Sequence, residues 1–432
     1  MTRRWWLLLV ILAGLAMPAA ARQAPAQPGA EPSAALRAGA EHVLALLRGQ
    51  AEPAQIFTAG FLADVPEPQV RAITRQFDAQ YGAVRRIAGI DAQSPTMGAV
   101  HVETERATLH LDIVVEPGPP HRITGLLLTG VDLSGDSAEA ILADLRALPG
   151  EVSFAAARLG EGTPAMVAAH EPGRALAIGS AYKLWILAEL SRQVKAGERR
   201  WSDVVAIDQR SLPGGTLYHW PRGAPVTLHT LASLMISISD NSATDLLLHV
   251  LGRESVERMM TTIGVSAAAR NRPLLATLEM SAIKTAPAPA LEAWRRADEA
   301  GRRALLATAY GGLEPGRVDI GRFSGNPLNL DVEWFASAAD LVATMDWLRR
   351  HGDETALAIL AINAGVPSAQ RAGFAYVGYK GGSEPGVLNL TWLVRNRAGQ
   401  WRAITGSWNN PSAPVDEQRF AALMARAAQL AR

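Results

Sequence analysis

The chain contains no cysteine at all in 432 residues. That excludes disulfides, a thiol nucleophile and an anchor built on a lipid-modified cysteine. Charge of either sign is equally scarce. Charged residues make up 19% of the chain, the formal net charge is +1, and no basic run interrupts the sequence, so nothing marks a nucleic-acid footprint. Hydrophobic residues reach 48%, enough for a sizeable core, and the length suits two domains. No internal repeat is present.

The one long apolar run lies at the start. Arg3-Arg4 precede Trp5 to Met17, and Pro18 with Ala19-Ala20-Ala21 suits a signal peptidase, so residues 1–21 read as an export signal. An uncleaved anchor would need around 20 apolar residues, and Pro18 shortens the run. Thr2-Arg3-Arg4-Trp5-Trp6-Leu7 also resembles a twin-arginine signal, a pattern shared with many ordinary signal peptides. A periplasmic or secreted protein is expected, with no stable membrane anchor once the signal is cleaved. Residues 22–32, rich in Pro, Ala and Gln, read as a linker.

Residues 33–131 read as a small α+β domain. Ser33 is placed to cap a helix that ends near Gly49, and a helical Val70–Phe77 stretch follows. The period then changes to two: Ala107, Leu109, Leu111 and Ile113 alternate with polar residues, and His121 to Leu128 make another strand. A helix followed by a curved antiparallel sheet suggests a cystatin-like or NTF2-like domain. His101, His110 and His121 are scattered in sequence and read as solvated strand-edge residues. Residues 132–151 form a connector with a helix over Leu133–Leu148.

Residues 152–432 form the second domain. Phe154–Leu159 and Met166–His170 read as strands. Gly179 and Ser180 open an apolar helix, Leu184 to Val194, that is apolar nearly all round and therefore buried. Thr227 caps a second helix and Gly252 ends a third. Ala375–Lys380, Val387–Arg395 and Trp401–Trp408 read as antiparallel strands, with Asn396–Gly399 as the last hairpin turn. An amphipathic helix follows Pro414. The expected fold is α+β: an antiparallel sheet flanked by helices, with an edge strand lining a cleft.

Three short segments carry the chemistry. Ser180-Ala181-Tyr182-Lys183 places a hydroxyl and an amine one helical turn apart, on the same face. At the helix mouth a first-turn N–H favours a developing oxyanion. A lysine in an apolar wall loses solvation, so its neutral amine becomes available as a base. Ser239-Asp240-Asn241 falls between two helices. There Ser239 could relay a proton, Asn241 could hold Lys183 and a substrate amide, and Asp240 could fix the turn. Lys380-Gly381-Gly382-Ser383 sits on a late strand. Its glycines clear space for a substrate, Lys380 offers a cation to a carboxylate, and the Ser383 N–H offers a second oxyanion donor.

Taken singly, each motif is commoner as an exposed lysine, a capping loop or a glycine bulge. In this order, and in these settings, the three resemble the penicillin-recognising serine hydrolase superfamily, most nearly its class A β-lactamase branch. With an NTF2-like domain in front, the whole resembles two-domain serine hydrolases that include clavulanate-cluster, cephalosporin-esterase-like proteins. The resemblance implies Ser180 as nucleophile, Lys183 as acylation base, Ser239 as proton relay and Lys380 as the carboxylate-binding cation, with no cofactor. It implies a small-molecule partner: a β-lactam, an ester or a cell-wall peptide. A D-alanyl carboxypeptidase or esterase, and a non-turnover penicillin-binding sensor, are the alternatives.

The sequence departs from that pattern twice. Gly381 stands where a threonine or serine hydroxyl is usual. No Glu-x-x-Leu-Asn follows the second motif; Arg272-Pro273-Leu274-Leu275 stands there instead. Glu279 reads as a helix-start residue favoured by the helix dipole. Glu333 and Glu384 are further carboxylates whose sequence positions give no reason to choose them. A long Ala- and Gly-rich insertion, Lys284 to Asp331, carries one expected helical piece, Ala290–Ala307. His219 and His229 lack metal-ligand spacing, His249 reads as structural, and Tyr218 and Trp220 suit a cleft wall or loop packing equally.

Overall fold

The computed structural model describes residues 31–133, 137–208, 211–323, 325–366, 371, 373–429. The export signal and most of the linker expected at residues 1–32 therefore lie outside the described residues. The described chain divides into two compact units, one built on the segment before Leu142, the other on Leu142–Gly365 and Phe374–Phe420.

In the first unit, Ser33 caps α1 (Ala34–Leu47) by accepting the Leu36 N–H at 3.0 Å, as its sequence position predicts. A second long helix, α2, spans Glu67–Tyr81. Four antiparallel strands follow in sequential order: β1 (Val84–Ser94), β2 (Met97–Thr104), β3 (Ala107–Val115) and β4 (Ile123–Leu133). Leu36, Val43, Val100, Leu109 and Ile113 form its dry core. The alternating burial of β2 and β3 is the period-two signal at work.

The histidines correct one expectation. His101 and His110 are not scattered: they are cross-strand partners in the β2–β3 register. Their Nδ1 atoms lie 2.6 Å apart, and their outer Nε2 atoms reach Asp91 and Asp132, each at 2.8 Å. Only His121 stands apart, its Nδ1 3.1 Å from the Glu116 carbonyl.

Helix α3 spans Ala138–Arg146. The second unit holds a five-stranded antiparallel sheet. In spatial order its strands are β9 (Phe374–Glu384), β10 (Val387–Asn396), β11 (Trp401–Asn409), β5 (Glu151–Leu159) and β6 (Ala165–His170). β9, bearing the third motif, is an edge strand. A short pair, β7 (Leu176–Ala177) with β8 (Phe335–Ala336), leads into a 3₁₀ turn, Gly179–Tyr182, which opens α4 (Lys183–Lys195).

Leu184, Trp185, Ile186, Leu187, Ala188 and Leu190 are all fully buried, so α4 is the central helix, as its all-round apolar sequence predicts. Each of the leucine and isoleucine side chains contributes about 1.5–3 kcal/mol on transfer from water, which makes α4 the rigid post beside which Ser180 and Lys183 stand. Around it pack Leu231 and Met235 of α5 (Leu228–Ser237), Leu247 of α6 (Asn241–Leu251) and Met259 of α7 (Arg253–Ile263). Helix α8 spans Thr277–Lys284. The insertion carries two helices where one was expected, Ala288–Arg296 and Glu299–Thr308. Ala297 leaves the helix and Asp298 restarts it by accepting the Gly301 N–H at 2.8 Å.

Candidate active site

The nucleophile candidate sits at the junction of the 3₁₀ turn and α4, with Ser180 half-buried and Lys183 fully buried. Two contacts fix that junction. The Ile178 N–H donates to the Trp334 carbonyl at 2.9 Å, and Tyr182 stacks on Trp334 with centroids 3.8 Å apart. The Tyr182 hydroxyl lies 3.0 Å from Thr277 Oγ1 at the start of α8.

The second motif fills the break between α5 and α6. Ser239 adopts φ +58°, a left-handed conformation that a side chain rarely takes. Asp240 holds the break in place: one carboxylate oxygen accepts the Ala243 N–H at 2.9 Å, the other the Leu217 N–H at 2.8 Å. Gly215 lies so close to Asp240 that a β-carbon there would overlap the carboxylate. The turn-fixing role expected for Asp240 is what the geometry shows.

Lys183 Nζ donates to the Ser239 carbonyl at 2.8 Å, to Ser239 Oγ at 3.0 Å and to Asn241 Oδ1 at 3.0 Å. From the opposite side Lys380 Nζ donates to the same Ser239 Oγ at 3.1 Å and to the Gly381 carbonyl at 2.6 Å. An oxygen that accepts from two amines has spent its lone pairs, so its own proton is free to point outward. Burial lowers Lys183 to about 7, against the opposing pull of Asp245 and Asp240. Burial, followed by repulsion from Lys183, also holds Lys380 well below the ordinary lysine range.

The third motif closes the site from the sheet edge. A β-carbon on Gly382 would overlap the Ile178 carbonyl and the Ser180 nitrogen, and would lie 2.8 Å from Ala181 N. Glycine is thus required at 382 for the strand to press against the backbone of Ser180. One residue on, the Ser383 nitrogen lies 3.2 Å from the place a β-carbon on Gly179 would occupy. The Ser180 and Ser383 amides are therefore neighbours, as an oxyanion pocket needs. All eight residues singled out in the sequence come together here: Ser180, Lys183, Ser239, Asn241, Lys380, Gly381, Gly382 and Ser383.

Sequence reasoning missed Tyr379. Its hydroxyl lies where a β-carbon on Gly381 would fall, and that carbon would also sit 2.9 Å from the Asn389 carbonyl. The absent hydroxyl at 381 thus has a steric cause. The i, i+2 spacing of Tyr379 and Gly381 on a strand was the available signal. Asp245 was missed as well: its carboxylate accepts the Thr277 and Leu278 N–H groups at 2.7 and 3.0 Å, tying α6 to α8.

The carboxylates after the second motif are now placed. Glu279 accepts the Ala276 N–H at 2.8 Å and pairs with Arg253 at 2.7 and 2.9 Å, the helix-start role expected for it. Glu333 and Glu384 meet at Lys284. The lysine lies 2.9 Å from Glu333 and is hydrogen-bonded to Glu384.

A family model described as the Beta-lactamase enzyme family matches residues 136–303, a stretch that includes Ser180, Lys183, Ser239 and Asn241. No curated protein matches. Among solved structures, the β-lactamase from Sphaerobacter thermophilus DSM 20745 is similar at 23% identity and a TM-score of 0.47, covering 68% of this chain and 95% of that one. A β-lactamase from Xanthomonas campestris pv. campestris str. ATCC 33913 follows at 20% and 0.45, covering 68% and 96%. An acyl-enzyme complex of a PBP-A variant with penicillin G matches at 15% and 0.46, covering 68% and 95%.

Proposed function

We propose that this protein is an exported serine hydrolase that opens β-lactam amides or related esters through an acyl-serine. The observation that carries the reading is the convergence of Lys183 and Lys380 on Ser239 Oγ, with Gly382 pressed against the Ser180 amide. The family match over residues 136–303 supports it independently.

Neutral Lys183 takes the Ser180 proton as Oγ attacks the carbonyl carbon. The Ser180 and Ser383 amides receive the oxyanion, and Ser239 hands a proton to the departing nitrogen or oxygen. A substrate carboxylate would supply a counter-charge to Lys380. The signal-like residues 1–21 support a periplasmic or secreted location.

A second reading, slow turnover with a persistent adduct, is favoured by one observation. Glu279 is committed to Arg253 and the helix start, so it is not free to activate water. A D-alanyl carboxypeptidase or esterase would use the same acylation machinery.

Fluorescent penicillin added to the purified protein tests the reading. A label on Ser180 that is lost with time supports hydrolysis, and a label that stays supports the sensor. Labelling that survives Ser180→Ala would sink the assignment.

A further inference from the structure

Hydrolysis of an acyl-serine needs a base for the incoming water, and the acylation residues do not supply an obvious one. A second polar cluster flanks the nucleophile turn. Glu333 precedes Trp334, whose carbonyl holds the Ile178 N–H at 2.9 Å. Glu384 follows Ser383, whose nitrogen abuts Gly179. Lys284, at the end of α8, bonds both carboxylates. The cluster therefore grips residues 178–180 from two sides. The side chains of Lys284 and Glu333 are fully buried, while that of Glu384 is 11% exposed, the one member with access to solvent.

Resting on the acyl-serine reading, the geometry points to Glu384 as the general base for the hydrolytic water, with Glu333 and Lys284 as its positioning residues. Glu384 lies on the same strand face as Gly382, two residues on, and Gly382 is the residue that touches the Ser180 amide. Burial, then the neighbouring Glu333 charge, raises Glu384 well above the usual carboxylate range, so its ionised form, populated as pH rises, is a strong proton acceptor. For Lys284 burial works against the charge, but Glu333 and Glu384 outweigh it and the amine stays protonated.

The step balances without a co-reactant. Water oxygen bonds to the acyl carbon, the carbonyl pair moves onto oxygen, and Glu384 takes the water proton. The tetrahedral oxyanion, held by the Ser180 and Ser383 amides, then collapses. The C–Oγ bond breaks, the proton returns to Ser180 Oγ, and a free acid leaves.

The test follows fluorescent penicillin on the full chain, with the Ser180 adduct mass read in parallel. Glu384→Gln is expected to label within about twofold of the wild-type rate and to lose label about a hundredfold more slowly. A merely structural role would slow labelling as well. Label loss from Glu384→Gln at the wild-type rate overturns the inference, and so does a wild-type adduct that persists as long as the variant's. If Glu384→Gln does not fold, Glu333→Gln takes its place: slower label loss supports the cluster, and wild-type loss overturns it. A wild-type protein that never labels on Ser180 sinks the acyl-serine reading instead, a separate failure.

Discussion

Lys183 and Lys380 donate to one oxygen atom, Ser239 Oγ, at 3.0 and 3.1 Å. Burial lowers Lys183 to about 7, and burial with the charge of Lys183 lowers Lys380, so near neutral pH the neutral amine of Lys183 is within reach. Acylation needs that neutral form. With Lys183 at about 7, the second-order labelling rate of Ser180 should climb roughly tenfold per pH unit below that value and level off above it. Stopped-flow labelling across pH checks this, and a flat profile would remove Lys183 as the base.

Ser239 combines a strained backbone, φ +58°, with a hydroxyl that the proposed acyl transfer uses as proton relay. The two can be separated. Ser239→Gly relaxes the left-handed conformation and should keep stability within about 1 kcal/mol of wild type. Ser239→Ala keeps the strain. Both should acylate about a hundredfold or more slowly, because both lose the proton relay. Denaturation and labelling rates read the two effects; a Ser239→Gly variant that labels normally would show that only the backbone matters.

Gly382 and Gly160 offer a matched contrast. A β-carbon at 382 overlaps the Ile178 carbonyl and the Ser180 amide, whereas nothing lies within 4 Å of one at 160. Gly382→Ala should cost about 1–3 kcal/mol and nearly abolish labelling, since the strand must withdraw from the oxyanion pocket. Gly160→Ala should leave both unchanged. Normal labelling of Gly382→Ala would show that the strand does not form that pocket.

The parts of the site that were legible in sequence are those governed by local chemistry. Ser180 and Lys183 are three residues apart across the 3₁₀ turn that opens an apolar helix, Asp240 caps its own neighbours, and the Lys380–Ser383 segment carries its glycines openly. What escaped depends on register or on distant segments. His101 meets His110 only once β2 and β3 are aligned. β1 escaped because its residues are exposed or half-buried with no clean alternation. The meeting of Lys284 with Glu333 and Glu384 needs three separate elements brought together, which no spacing rule predicts.

Tyr379 and Gly381 should be energetically coupled. Restoring a hydroxyl by Gly381→Ser drives its β-carbon into the Tyr379 hydroxyl and the Asn389 carbonyl. Alone it should destabilise by about 1–3 kcal/mol. Combined with Tyr379→Ala, part of that cost should disappear, a coupling of at least about 0.5 kcal/mol in a double-mutant cycle. Strict additivity would mean that the tyrosine is not what excludes a side chain at 381.

Glu279 provides the converse of the Glu384 experiment. Its carboxylate caps α8 through the Ala276 N–H and neutralises Arg253, whose guanidinium would otherwise face a buried edge without its partner. Glu279→Ala should therefore lower stability by about 1–3 kcal/mol through the lost cap and the stranded cation. The rate at which penicillin label leaves Ser180 should stay near wild type below the melting temperature. Thermal melting and label loss on the same preparation settle the matter. A protein that melts normally but holds its label far longer would place the hydrolytic base at Glu279, and the cap would then be its secondary duty.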